Sequence, residues 1–159
     1  MNDHKKNTDP NYALLDRARR YCAMSEQCES GIRQKLIGWG AGSADVDPII
    51  NRLRDENYLD DERYARAYCE SKLLRQHWGR QKVLYQLRMK HLPKEAIDNG
   101  MAAISDEAYM AMLAETAEKK LAELGGSDTP DVQRRLLSFL ISRGFTINEI
   151  NNITKNTIQ

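Results

Sequence analysis

The sequence predicts an all-α protein: three tandem three-helix repeats forming an elongated, curved array. Three observations carry this. Apolar residues recur at helical spacing, as in Ile97, Met101 and Ile104 or Val83, Leu84 and Leu87, and no stretch alternates with the β-branched enrichment of a strand. Helix-start signals punctuate the chain. Similar passages return at offsets of 51 and then 53 residues.

The elements follow in order. MNDHKKNTDP, residues 1–10, has no apolar region of a secretory signal and is expected to be a disordered lead-in. Asp9-Pro10 pairs an N-cap with proline at the first helical position and opens a long helix near Tyr12 to Cys22. Lys35 and Leu36 lie late in a second helix, and Gly38-Trp39-Gly40-Ala41-Gly42 ends that helix before the next begins. The third helix carries Ile49, Ile50 and Leu53. Either Ser43 or Asp47 caps it, with Pro48 fitting best behind Asp47.

Asp60, Asp61 and Glu62 after Leu59 place acids at the positive end of a helix running through Tyr64, Tyr68 and Leu73 to about Gln76. Trp78 fills a corner between helices, and Gly79 is expected to permit a tight turn there. Ser105 before Asp106 and Glu107 starts the helix to about Leu124. Thr129-Pro130 repeats the cap-and-proline signal, and Thr146 with Glu149 forms a capping box.

Leu36, Leu87 and Leu140 fall in register at those offsets, as do Val46, Ile97 and Ile150. A longer helix precedes each passage. The expected units are 11–58, a central 59–104 and 105–159. One such unit has a small core, so stacking three buries more apolar surface than any unit does alone.

A net charge of +1 conceals segregation. Ala41 to Glu62 nets −5, Arg63 to Lys94 nets +8 with nine Lys or Arg against Glu70 alone, and Ser105 to Asp128 nets −4. A basic centre between acidic flanks points to a charged partner. No apolar run is long enough to cross a bilayer, so no membrane is expected. Cys22, Cys28 and Cys69 form neither CxxC nor zinc spacing, which fits reduced core thiols of a cytoplasmic protein.

The search for chemistry finds no HExxH, GxSxG, phosphate loop or dinucleotide fingerprint. His4, His77 and His91 have no metal-binding spacing. Adjacent Asp60, Asp61 and Glu62 point different ways on a helix, which suits a dipole better than a metal. No cofactor and no catalytic group is expected. The binding candidates are Arg63, Arg66, Lys72, Arg75, Arg80, Lys82, Arg88 and Lys90. They cannot all share one helical face, so some are ordinary solvated charges. Tyr64 and Tyr68, one turn apart, read as core.

The run Leu59-Asp60-Asp61-Glu62-Arg63-Tyr64-Ala65-Arg66-Ala67-Tyr68, followed by Trp78-Gly79 and Leu87-Arg88-Met89-Lys90, resembles the central motif of the RecX family. Weaker resemblance runs from about Tyr12 to Ile153. Leu59, Asp60, Asp61, Tyr64, Ala65, Trp78, Gly79 and Leu87 are the motif's structural positions. The chain departs at His91-Leu92, where the family carries glycine and a β-branched residue. A non-glycine there is expected to end the helix differently.

The resemblance implies an all-α, non-catalytic monomer that regulates the RecA recombinase. It would bind the groove of the RecA filament on single-stranded DNA and suppress strand exchange and ATP hydrolysis, with direct DNA contact in some members. The residues alone leave two alternatives. One is a direct DNA binder of helix-turn-helix type, with the helix after Gly79 in the major groove. The other is a helical adaptor for another protein.

Overall fold

A computed structural model describes residues 10–156, with side chains described for 10–154; residues 1–9 of the expected 1–10 lead-in, with the Asp9 cap, lie outside, and Pro10 belongs to the first helix. Among the described residues the chain is all helix and turn. α1 (Pro10–Met24), α2 (Glu29–Gly38) and α3 (Ser43–Asp55) form the first set. The central set is α4 (Asp61–Cys69), which runs on as a π-helical segment (Glu70–Arg75), then α5 (Arg80–Met89) and α6 (Lys94–Ala102). The last set is α7 (Asp106–Glu123), α8 (Pro130–Ser142) and α9 (Ile147–Asn156).

Most caps follow the sequence. Asp60 accepts from the Arg63 amide at 2.9 Å, Ser105 from Ala108 at 3.1 Å and Thr129 from Val132 at 3.3 Å. The capping box closes both ways, Thr146 N–H to Glu149 at 3.0 Å and Glu149 N–H to Thr146 at 3.2 Å. α3 is the exception. Its N-cap is Gly42, and Pro48 sits inside the helix. Neither Ser43 nor Asp47 caps it, because Asp47 instead pairs with Arg33 at 2.6 Å.

The register residues are buried in every set: Leu36, Leu87 and Leu140 at 0% exposure, and Val46, Ile97 and Ile150 at 8% or less. Gly40, His91 and Gly144 occupy one position at the same offsets. All three are left-handed, with φ of 95°, 59° and 100°. His91 therefore ends its helix as the glycines do. The expected difference is absent, because the turn dictates the conformation and histidine takes it at a steric cost.

Two cores result. One lies within the first set, around Ile32, Leu36, Ile50 and Leu53. The other runs without a break through the central and last sets, around Leu73, Val83, Leu87, Tyr109, Leu113 and Leu140. Leu59 packs into the first core and Cys28 into the second, so each side lends the other one side chain. Otherwise the seam is polar: Arg63 to Glu26 at 2.5 Å, Arg54 to Asp61 at 3.3 Å, and the Ser30 hydroxyl to the Lys90 carbonyl at 2.9 Å.

The central and last sets meet backbone to backbone. Gly79 N–H donates to the Arg143 carbonyl at 2.7 Å, and Gln81 N–H to that of Gly144 at 3.2 Å. A Cβ on Gly79 would lie 2.0 Å from the Gly144 carbonyl carbon. Gly79 itself has φ −76° and ψ 157°, an ordinary extended conformation. It is needed for this close approach rather than for a tight turn. The left-handed residue of the corner is His77, φ 55°, whose ring nitrogen Nδ1 lies 2.9 Å from Thr116 Oγ1. That hydroxyl donates to the Met112 carbonyl, so Nδ1 is the donor to Thr116.

Candidate functional site

The central set presents a ladder of alternating cations and rings. α4 and its π-helical extension supply Tyr68 and Lys72, the corner supplies Trp78, and α5 and its end supply Lys82 and Lys90. Lys90 Nζ lies 5.6 Å from the Tyr68 ring and Lys72 Nζ 5.5 Å from the same ring. Lys72 is also 4.6 Å from the Trp78 ring, with Lys82 at 4.1 Å. Tyr64 stacks behind Tyr68 at 5.9 Å and 26°. The π-helical turn, closed by Gln76 N–H to Ser71 O at 3.0 Å, sets how Lys72 meets Trp78.

Lys72 and Lys82 share the Trp78 ring, and the three lysines pair with no carboxylate among the described residues. Each cation–ring contact contributes about 0.5–1 kcal/mol at such a partly exposed site. A ring contact uses none of the ammonium N–H donors, so these groups remain available to an incoming anion while the rings restrict where they sit. Burial raises the pKa of the Tyr64 and Tyr68 hydroxyls, keeping both rings neutral.

The other candidate cations divide by role. Arg63 joins the seam, bonding Glu26 and the Asn57 carbonyl, the latter at 3.0 Å. Arg80 pairs with Asp106 at 2.6 Å and covers the Tyr109 ring at 4.0 Å, so it ties the central set to the last. Tyr109 completes that tie: its hydroxyl accepts from the Arg80 amide at 3.0 Å and donates to Glu149 at 2.9 Å. Arg75 reaches Glu70 at 3.5 Å. Arg66 and Arg88 are exposed. The structure thus brings Lys72, Lys82 and Lys90 together and sets Arg63 and Arg80 apart.

The motif residues are mainly frame. Leu59, Ala65, Gly79 and Leu87 are buried, Asp60 caps α4, and Asp61 holds Arg54. Ala65 lies against Gly100, where a Cβ would come 2.9 Å from the Ala65 backbone; this is the tight crossing of α4 and α6. Trp78 is partly buried against the core, as a corner residue should be, and its ring also meets Lys72 and Lys82. Tyr64 and Tyr68, read from sequence as core, are partly buried and pack against it, and Tyr68 also belongs to the ladder. Its i+4 spacing to Lys72 was the available signal.

Beside the ladder, α5 exposes Tyr85 at 60% and Met89 at 58%. Among the described residues no group of three His, Cys, Asp or Glu side chains is placed to hold a metal, and no helix is long and apolar enough to cross a membrane.

Fold and site together define a helical-repeat protein with a basic, ring-lined central face. Comparison with known proteins agrees. Residues 60–101 match the family model of the second three-helix domain of RecX, and residues 106–153 match that of the third. The chain belongs to the RecX family.

It is 30% identical over 132 residues to the regulatory protein RecX of Clostridium botulinum (strain Eklund 17B / Type B), an alignment covering 82% of this chain and 61% of the relative. It is 29% identical over 170 residues to that of Yersinia enterocolitica serotype O:8, covering 92% of this chain and 98% of the relative. The chain thus spans less than two thirds of the clostridial protein. A crystal structure of regulatory protein RecX shares the fold with a TM-score of 0.80 at 21% identity, covering 91% of this chain and 71% of the other. That of RecX from Lactobacillus salivarius does so with 0.79 at 18%, covering 92% and 95%.

Proposed function

We propose that this chain regulates the RecA recombinase, mainly as an inhibitor, by binding in the groove of the RecA–DNA filament. It suppresses ATP hydrolysis and strand exchange, performs no catalysis itself, and acts as a cytoplasmic monomer with 11–58, 59–104 and 105–159 as working units. The observation that carries this reading is the mixed character of the central face. Lysines with no carboxylate partner among the described residues stand beside Tyr85 and Met89, both more than half exposed. Phosphate rewards the lysines, and a protein surface rewards large apolar side chains. A nucleoprotein filament offers both in one groove.

The helix-turn-helix alternative has less support. The outward face of α5 is Gln81, Tyr85, Arg88 and Met89, with a single cation for a duplex groove. Inhibition follows if the groove contacts fit one filament geometry and draw the population toward it.

The test is RecA ATPase on single-stranded DNA, with and without the protein, alongside a shift assay on naked duplex. The expected result is inhibition at concentrations where naked duplex is hardly shifted. Replacing Lys72, Lys82 and Lys90 together by Glu should weaken that inhibition by about tenfold or more at moderate salt. Unchanged inhibition by that variant refutes the central face as the contact. Tight, steeply salt-dependent binding of naked duplex would favour the alternative.

A further inference from the structure

The 51-residue offset holds through the core of the first two sets. Ala18 and Cys69, Cys22 and Leu73, Ile32 and Val83, and Leu53 and Ile104 are all buried pairs. The first set therefore has a position-by-position counterpart of the central ladder. Lys90 corresponds to Trp39, Tyr68 to Arg17 and Lys72 to Tyr21. Cation and ring have changed places, yet the contact persists: the Arg17 guanidinium lies 4.2 Å over the Trp39 ring.

Lys35 adds an ammonium 5.3 Å from the Tyr21 ring, and Tyr21 meets Trp39 edge to face at 5.9 Å and 84°. Two adjoining hollows open here and share Tyr21, Lys35 and Trp39 as lining. Arg20, at the rim, is paired with Asp16. Arg17 and Lys35 pair with no carboxylate among the described residues. Arg143, the counterpart of Trp39 and Lys90 in the last set, lies 5.9 Å from the Phe139 ring and also donates to the Gln76 carbonyl across the junction.

We propose that the groove between α1 and α2 is a second binding site, for a single-stranded polynucleotide. Bases lie against Trp39 and Tyr21, and phosphates meet Arg17 and Lys35. The combination of rings and cations in one hollow selects this ligand over an acidic peptide. Peptide carboxylates use the cations but leave the rings without partners, whereas a nucleotide uses both. The site is separate from the central ladder and requires no recombinase.

The chain has two tryptophans, one at each site. Trp78→Phe leaves Trp39 as the only indole reporter, and Trp39→Phe leaves Trp78. Both proteins are titrated with oligo(dT) and with oligo(U), without recombinase. Either strand is expected to quench Trp39, since ring stacking and phosphate contact do not depend on the sugar. Adding Arg17→Ala and Lys35→Ala to the Trp78→Phe protein should weaken that binding by about tenfold. Both residues are exposed, and helical content by circular dichroism confirms folding. Unchanged Trp39 emission up to millimolar nucleotide overturns the proposal. So does unaltered affinity in the double alanine variant, or displacement of the strand by polyglutamate at equal charge concentration, which would assign the groove to an acidic peptide. Because Trp78 reports the central ladder separately, failure at one site is distinguishable from failure at the other.

Discussion

Replacing Gly79 by Ala should separate the central set from the last. The new methyl would lie 2.0 Å from the Gly144 carbonyl carbon, 2.1 Å from its oxygen and 2.3 Å from the Phe145 nitrogen. All three are backbone atoms, so no side chain can swing aside, and the junction itself must open. Two backbone hydrogen bonds cross it, Gly79 to Arg143 and Gln81 to Gly144. Their loss costs about 1 kcal/mol each. Displacing the packed core around them adds about 1–3 kcal/mol. The sum is about 3–5 kcal/mol, a fall in Tm of roughly 6–20 °C for a chain of this size. Gly38→Ala is the matched control, since its methyl would have nothing within 4 Å. It should be neutral or slightly stabilising, because helix propensity favours alanine by up to about 1 kcal/mol. The assay is urea and thermal denaturation of both variants beside the parent. A Gly79→Ala protein within about 0.5 kcal/mol of the parent would refute the close-approach argument.

Further outcomes follow from single contacts. His91→Gly removes a side chain from a left-handed position and should raise stability by about 1 kcal/mol, read from the urea midpoint. Hydrogen bonds from Arg19, then from Arg52, hold the Glu56 carboxyl down at about 2. Its folded value lies below the unfolded one, so its stabilisation is present above about pH 4.5 and is lost as pH falls toward 2. Glu56→Gln should flatten the pH dependence of unfolding in that window, and a profile identical to the parent's would contradict the assignment. Burial pushes the Cys22 and Cys69 thiols up to about 11, so both should resist a disulfide-exchange reagent at pH 8 until urea unfolds the chain.

Much of the fold was legible because its signals are local. Asp60, Ser105, Thr129 and Thr146 announce helix starts within four residues of chain, and Leu36, Leu87 and Leu140 repeat at fixed offsets. What escaped depends on distant partners. Asp47 was the better-looking cap for α3, but Arg33, fourteen residues away, takes it. Gly79 looked like a turn residue because its constraint lies in the backbone at Gly144, sixty-five residues on. The π-helical turn has no spacing signature that would foretell Lys72 beneath Trp78.

The candidate site was legible as a segment and not as a surface. The +8 stretch marked the right unit, yet it mixed Arg63 and Arg80, which bind the sets together, with the lysines that face outward. The groove at Arg17, Tyr21, Lys35 and Trp39 lay outside the basic run altogether. Only the repeat register, applied to polar as well as apolar positions, reveals it.

The two cores have a mechanical consequence. The central and last sets share one apolar interior and a backbone-bonded junction, so they behave as a single stiff block. The first set hangs from that block by ion pairs in contact with water, each worth at most about 1 kcal/mol, by the Ser30–Lys90 hydrogen bond and by the exchanged Leu59 and Cys28. Under tension applied at its ends the chain should part first at this seam, leaving both cores intact. A body built this way can keep a firm grip with one part while the other swings to follow the pitch of whatever it lies along.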